Sequence, residues 1–455
     1  MASLDLEQAS PRVRVAIVGS GPAGFYLADF LLRHKEPAIA VDMYERLPVP
    51  FGLVRFGVAP DHQSIKRASA AFQRTAAQPA FKFVGNVEIG SQLSVQELLA
   101  HYHAVAFAYG SATDRRLGVG GEDLRGSFAA TSFVGWYNGH PDFAERKFDL
   151  DSERAVIVGM GNVALDVARI LVRTPAELAT TDIADYALAA LRESKVREVI
   201  LLGRRGPAQA AFDLGELTDI GDLPGIGLSV DGPLPLTDRK GLDATTNRTL
   251  DYLEKLPQSP VMDAERRVRL RFLASPAEVL GDGDRVRGLR IEENELYDRD
   301  GAQAARGTGR FEDIDCGIVV RSIGYQGLAL PGVPFDNKRC VIPNDAGRVL
   351  LGEGAADGQY VVGWIKRGPT GLIGTNKSDA KETFDTMVAD LPTWSARSVE
   401  EPALIAERLA AKGVRTLAFP DWQRLDAYEL ERGKLAGKVR EKLCSVAAML
   451  KVLES

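Results

Sequence analysis

The stretch VRVAIVGSGPAGFYLADFLLRH, Val13 to His34, decides the fold. An apolar, β-branched run meets GSGPAG and then an apolar-periodic segment, which reads as strand, glycine turn and helix. Each glycine has a task in that order. Gly19 makes the turn, Gly21 lets the backbone approach a pyrophosphate, and Gly24 lets the helix pack on the strand, with the helix N-terminus facing the anion. A second apolar run, Ile39 to Tyr44, ends at Glu45, a carboxylate placed to accept hydrogen bonds from adenosine ribose hydroxyls. The expected dinucleotide therefore lacks a 2′-phosphate. The plain alternative is a tight strand-helix turn followed by a surface glutamate.

Arg154 to Arg173, RAVIVGMGNVALDVARILVR, repeats the pattern, with Gly159, Gly161 and Ala164 in the fingerprint positions. Its next strong strand, Glu198 to Gly203, runs into Arg204 and Arg205. Where the first unit has an acid, the second has two guanidiniums suited to a phosphate dianion, which reads as NADP rather than NAD. About 40 residues separate Gly161 from Arg204, against roughly 20 in a minimal unit. Pro175 to Ser194 has helix-forming composition and is expected to lengthen the crossover without changing strand order. The alternative for Arg204 and Arg205 is a solvated cap on a strand.

Two unlike units in 455 residues suggest FAD held in one and NADP(H) visiting the other, since a flavin accepts a hydride's electron pair and releases the electrons singly. With 45% hydrophobic and 26% charged residues and no apolar tract long enough to span a bilayer, the chain reads as a multi-domain globular protein without membrane insertion. Met1 to Ser10 has neither an apolar signal core nor an Arg-rich transit character, which points to the cytoplasm. The net charge of −6 gives no general attraction for nucleic acid. Cys316, Cys340 and Cys444 form no metal, cluster or redox-disulfide pattern, so the redox chemistry must come from a cofactor. His101 and His103 lack nearby Cys or paired carboxylates, so no metal is expected there and they read as ordinary surface or capping residues.

FGLVRFGVAPDH (Phe51 to His62) resembles a signature of adrenodoxin reductase and its bacterial ferredoxin-NADP reductase relatives. The resemblance continues through FVGWYNGHP (Phe133 to Pro141), GMGNVALDVARIL (Gly159 to Leu171), GRRGPAQAAF (Gly203 to Phe212), RLRFLASPAEV (Arg269 to Val279) and VGWIKRGPTGLIGTNKSDA (Val362 to Ala380). It implies an α/β protein of two Rossmann-like dinucleotide-binding domains, the NADP domain (111–322) inserted into an FAD domain made from both chain ends (1–110 and 323–455). The linkers would lie near Gly110 to Asp114 and Arg321 to Tyr325. The runs AVAFAYG (Ala104 to Gly110) and GIVVRSIGY (Gly317 to Tyr325) read on their own as strands at those places.

The same resemblance implies FAD contacts at Ala23, Glu45, Leu53, Val87, Trp364, Gly371, Leu372 and Ile373, beside the fingerprint Gly19, Gly21 and Gly24. It implies NADP contacts at Arg115, Asn162, Val163, Arg204, Arg205 and Glu216 beside Gly159 and Gly161, with Gly371 touching both cofactors. Gly215, before Glu216, departs from the bacterial pattern and is expected to loosen that helix. A glycine turn opening a helix at Thr375 to Met387 is expected to aim N–H groups at the flavin's pyrimidine end. His62 is open between two readings. Asp61 caps a helix with His62 merely beside it, or His62 lies by the flavin and acts in catalysis by tuning its potential or docking the electron acceptor.

The activity so implied is that of an NADPH-ferredoxin oxidoreductase. Hydride passes from NADPH C4 to flavin N5, then electrons pass singly to an acidic iron-sulfur protein, with positioning as the main catalytic device. Basic candidates for docking it are Arg239 with Lys240, and Arg266, Arg267, Arg269 and Arg271; the plain alternative is a solvated face. The competing enzyme is an NADPH dehydrogenase reducing quinones or other small acceptors. A third reading is a redox-sensing binding protein or a subunit like the small subunit of glutamate synthase; the latter fits poorly because the first cysteine is residue 316.

Overall fold

Val13–Val18 forms β1, and alternate side chains enter two different cores, as a strand buried on both faces requires. Val13, Val15 and Ile17 pack on one face with Phe25 and Leu27, and Ala16 and Val18 on the other with Leu98 and Phe107. The computed structural model describes residues 13–232, 234, 239–401 and 403–454. The reading made for Met1 to Ser10 lies outside them.

The first unit continues with β2 (Ile39–Glu45), β3 (Phe81–Gly85) and β4 (Ala104–Phe107), then β5 (Thr113–Asp114) leads out of it. The second holds β6 (Ser127–Ala129), β7 (Arg154–Val158), β8 (Glu198–Leu202), β9 (Ile226–Val230) and β10 (Arg266–Arg271). Three long strands follow, β11 (Ala274–Asp282), β12 (Arg285–Arg299) and β13 (Ala302–Asp315), before β14 (Ile318–Arg321). The chain returns through β15 (Tyr325–Gln326) to β16 (Asn344–Asp345), β17 (Arg348–Leu351) and β18 (Gly354–Val361).

The first sheet has the order β16-β17-β18-β4-β1-β2-β3 and is parallel from β18 to β3. The second, β6-β14-β7-β8-β10-β9, is parallel throughout. One doubly wound α/β unit is thus inserted into another, since strands from both ends of the chain make the first sheet, as expected. The two crossings pair with each other, β5 antiparallel to β15. The β11-β12-β13 sheet covers one face of the second parallel sheet, where Val279, Leu289, Ile291 and Ile314 pack on Val156, Val158 and Val319. The long crossover holds two helices, Pro175–Leu178 and Asp185–Arg192, the first opened by a Thr174–Glu177 capping box, and β7 and β8 remain neighbours. No helix among the described residues is long and apolar enough to cross a membrane.

Two readings are corrected. His101 and His103 are buried: His101 Nδ1 lies 3.1 Å from the Glu401 carbonyl, and His103 Nδ1 accepts from Arg14 N at 3.2 Å. His101 ends the helix Val95–His101 and His103 closes on β1, each with a backbone partner, and burial lowers the His103 pKa. Asp61 is no N-cap, because the helix Gln63–Lys66 starts after His62 without a side-chain cap. Arg169 and Arg173 of the inserted unit claim its carboxylate instead, at 2.7 and 2.9 Å.

The C-terminal helix Phe419–Leu435 is fastened by Glu429, which is wholly buried. Its carboxylate accepts from Arg55 at 2.6 Å, Arg440 at 2.8 Å and Leu443 N at 2.8 Å. Burial opposes its charge, but Arg55 and Arg440 hold its pKa below the usual carboxylate range. Stability from this group is therefore present above that range and lost as pH falls through it. Replacing Glu429 with Gln leaves the buried Arg55 guanidinium without its carboxylate, while Arg440 keeps Asp426 at 2.6 Å, and should cost about 3–5 kcal/mol in denaturant unfolding at pH 7. The difference should shrink toward pH 3; equal stability at pH 7 would remove the role given to this carboxylate.

Candidate functional site

The two strand-turn-helix units have the same construction. Gly19 has φ +106° and Gly159 φ +142°, values L side chains avoid. A Cβ on Gly24 would stand 2.4 Å from the Gly19 carbonyl, so the helix Pro22–Leu32 packs there only without one. Ala164 takes the corresponding position in the second unit and is fully buried. Gly21 and Gly161 are the N-caps of the helices Pro22–Leu32 and Asn162–Val172, have open space where a Cβ would be, and give no side-chain cap. Each helix thus presents uncapped first-turn N–H groups beside a cradle that a side chain would fill, which is the fit an anionic pyrophosphate needs.

At the end of β2, Glu45 accepts from Ser20 Oγ at 2.7 Å and Leu47 N at 3.0 Å, so its carboxylate is held at the rim of the first turn. Val87 is buried and its N–H donates to the Glu45 carbonyl at 2.9 Å. Leu53 opens the short helix Leu53–Phe56 and is half-buried. Ala23 meets the late segment directly, since a Cβ on Gly363 would be 2.6 Å from its own. Trp364 lies 5.2 Å from Tyr325 between ring centroids, and its Nε1 donates to the Thr370 carbonyl. Gly371 has φ +79°, Leu372 is exposed, and Ile373 packs on the first core.

The helix Thr375–Ala389 forms as expected, but its N–H groups are not those free for an anion. Thr375, Asn376 and Lys377 N–H already donate to the carbonyls of Leu372, Ile373 and Gly374, and Leu372 N–H to Thr375 Oγ1. Donors toward a ligand must come from Gly371, Ile373 and Gly374.

In the second unit, Asn162 exchanges two hydrogen bonds with Asp213, at 2.7 and 2.8 Å, joining the turn to the helix Leu214–Gly221 that carries Glu216. Val163 is half-buried on the second core. A Cβ on Gly215 would meet open space, so the glycine answers no steric demand there. Arg204 is exposed and Arg205 half-buried just past β8, whose last carbonyl, that of Leu202, accepts from Gly159 N at 2.9 Å. Among the described residues neither guanidinium has a hydrogen bond or ion pair. Arg115 is exposed on the outgoing crossing, and its N–H donates to the Gly324 carbonyl on the return.

His62 enters the inserted unit's acidic cleft. Its Nδ1 is 3.6 Å from Glu216 and 3.9 Å from Asp166, and its Nε2 is 3.7 Å from Asp219. The ligating atoms of His62, Glu216 and Asp219 lie within 4.8 Å of one another. Burial, and then Arg169, lower the His62 pKa, which favours the neutral ring. Burial and then Asp166 push the Glu216 carboxyl up to about 7, against the pull of Arg169. Sequence reasoning missed Arg169, the hub of this cluster: 2% exposed, it bonds Asp61, Asp166 and Glu216. The available signal was an Asp166–Arg169 pair at i,i+3 inside an otherwise apolar helix.

The basic residues singled out for docking are already paired. Arg239 binds Asp251 and Glu254, Arg267 and Arg269 reach Glu198, Arg269 and Arg271 reach Asp231, and Arg266 donates to the Val172 carbonyl. With carboxylates against Arg239, Arg267, Arg269 and Arg271, these side chains form a charge-mixed surface rather than the open positive face that the sequence suggested.

No family model matches the chain. Whole-chain comparison finds it 44% identical over 451 residues to the NADPH-ferredoxin reductase FprA of Mycobacterium leprae, covering 96% of this chain and 98% of that one. It is also 44% identical over 456 residues to the mitochondrial NADPH:adrenodoxin oxidoreductase of Homo sapiens, covering 97% and 92%. The fold matches the structure of Mycobacterium tuberculosis FprA in complex with NADPH at a TM-score of 0.92 and 43% identity, covering 97% of this chain and 100% of that one. Two cradles of the same build in one polypeptide and 44% identity in alignments that span nearly the whole chain lead to one conclusion: the chain belongs to the oxidoreductase family of the NADPH-ferredoxin and NADPH:adrenodoxin reductases.

Proposed function

We propose that the chain is an FAD-dependent NADPH-ferredoxin oxidoreductase of the cytoplasm. FAD belongs in the unit formed by 1–110 and 323–455, and NADP(H) in the inserted unit, 111–322. The observation that carries this reading is the contrast between the two second-strand ends: a carboxylate, Glu45, held by Ser20, against two guanidiniums, Arg204 and Arg205, that have no polar partner among the described residues. A ribose hydroxyl suits the first and a 2′-phosphate the second, and exchanging them would set like charges together. The NADPH and ferredoxin or adrenodoxin in the names of the relatives support the same assignment.

Bound together, the cofactors would supply the redox chemistry: hydride transfer from nicotinamide C4 to flavin N5 and single-electron delivery to an iron-sulfur acceptor. The chain's own residues position. The helix starts at Pro22 and Asn162 take the two pyrophosphates, Trp364 and the 371–374 turn line the flavin side, and Arg115 and Asn162 steady the coenzyme. Glu216, whose carboxyl burial and Asp166 push up to about 7, is the group that holds the nicotinamide ribose. Neutral His62 stands beside it, ready to take part in acceptor docking or in setting the flavin's potential.

Replacing Arg204 and Arg205 with Ala should raise KM for NADPH by roughly 10- to 100-fold, the worth of charge-assisted hydrogen bonds, and leave NADH kinetics nearly unchanged. Equal losses with both coenzymes would refute the 2′-phosphate assignment. After anaerobic reduction by NADPH, mixing with a ferredoxin should accelerate flavin reoxidation; acceleration by quinones and by no ferredoxin would favour a small-acceptor dehydrogenase. For Glu216, whose folded-state pKa is raised to about 7, stability falls as pH rises from the ordinary glutamate range toward 7. Glu216→Gln should therefore match the parent in denaturant unfolding at pH 4 and exceed it at pH 8. A constant difference across that range would contradict the assignment.

A further inference from the structure

Asn294 is a buried polar side chain that plays no part in the scheme above. It sits in β12 where the ladder to β13 slips between Glu292 and Asn294, and it is 7% exposed. Its Nδ2 donates to the Arg204 carbonyl at 2.8 Å and to Ser275 Oγ at 2.7 Å, and its backbone N–H to the Leu273 carbonyl at 2.8 Å. A carbonyl only accepts, so the amide nitrogen must be the atom facing Arg204. From the same sheet connection, Leu273 N–H donates to the Arg205 carbonyl at 3.2 Å, with Leu273 itself at φ +55°. The antiparallel sheet thus grips both arginines by their main chain, and among the described residues both guanidiniums have no polar partner. The slip in β12 sets the direction from which Asn294 reaches that backbone. A β-bulge is the device that re-aims one residue of a strand in this way.

We propose that Asn294 is a positioning residue for coenzyme selection, fixing the Arg204–Arg205 backbone so that both guanidiniums converge on the 2′-phosphate of NADP(H). The inference rests on the assignment of that phosphate to Arg204 and Arg205.

The test uses 2′,5′-ADP as a binding probe in calorimetry, with steady-state kinetics for NADPH and NADH, on the holoenzyme. Asn294→Ala should weaken 2′,5′-ADP and raise KM for NADPH by roughly five- to tenfold, the worth of one hydrogen bond. It should leave kcat with NADPH and both NADH parameters within about twofold, as expected for a lost positioning bond. Added to the Arg204→Ala, Arg205→Ala background it should do nothing more, because the groups it positions are gone. Unchanged probe affinity in Asn294→Ala, equal loss with NADPH and NADH, or a further loss in the combined variant would overturn the proposal. If the double arginine variant itself binds 2′,5′-ADP like the parent, the phosphate assignment fails and takes the proposal with it. Should Asn294→Ala not fold, Asn294→Asp, which keeps the shape but removes the donor, is read by the same criteria.

Discussion

Two backbone contacts that tolerate no Cβ hold the molecule's two halves in one geometry. A Cβ on Gly19 would lie 2.7 Å from the backbone of Ala108 and Tyr109, and one on Gly159 only 2.1 Å from the Ser322 carbonyl. Ala108 follows β4, the last strand before the chain leaves the first unit, and Ser322 follows β14, the last before it returns. Each glycine turn is therefore locked against the strand end from which the chain crosses over. The crossings pair through Thr113 with Gln326 and Asp114 with Tyr325, and Arg321 reaches Asp114 at 3.4 Å. The separation of the two cradles follows from a short ribbon with little freedom.

Charge pairs close the rest of the interface. Asp61 from the first segment enters the inserted unit between Arg169 and Arg173, while Asp182 of that unit receives Lys66 at 2.7 Å and Lys442 at 3.1 Å. Asp182 is pulled below the usual carboxylate range by Lys442 and Lys66 against the cost of burial, and burial brings Lys442 down to about 7. All three parts of the chain meet at this one carboxylate. Buried pairs of this kind add little net stability but penalise any arrangement that leaves one member unpartnered, which suits an interface that must keep a fixed spacing.

The elements legible in the sequence were those with local rules. β1 and its helix, β7 and its helix, the lengthened crossover and the run into Arg204 and Arg205 each follow from periodicity and glycine placement within a few residues. What could not be read depends on distant partners. Asp61 looked like a helix cap because nothing nearby in sequence discloses Arg169, more than a hundred residues on; His101 and His103 looked like surface residues because their partners are backbone groups of other segments. The arginines of β10 looked like a docking face because the carboxylates paired with them, Glu198 on β8 and Asp231 just past β9, are distant in sequence. Site residues inside motifs were visible, whereas the groups that set their charge were not.

The central claim is that one chain seats a flavin in the cradle marked by Glu45 and a phosphorylated nicotinamide in the cradle marked by Arg204 and Arg205. Its most direct measurement is an anaerobic titration of the purified protein, followed through the flavin absorption bands. The protein should be yellow, with bands bleached by near-stoichiometric NADPH and only by much higher NADH. A protein that neither carries nor takes up FAD, or whose flavin bands ignore NADPH, would contradict it.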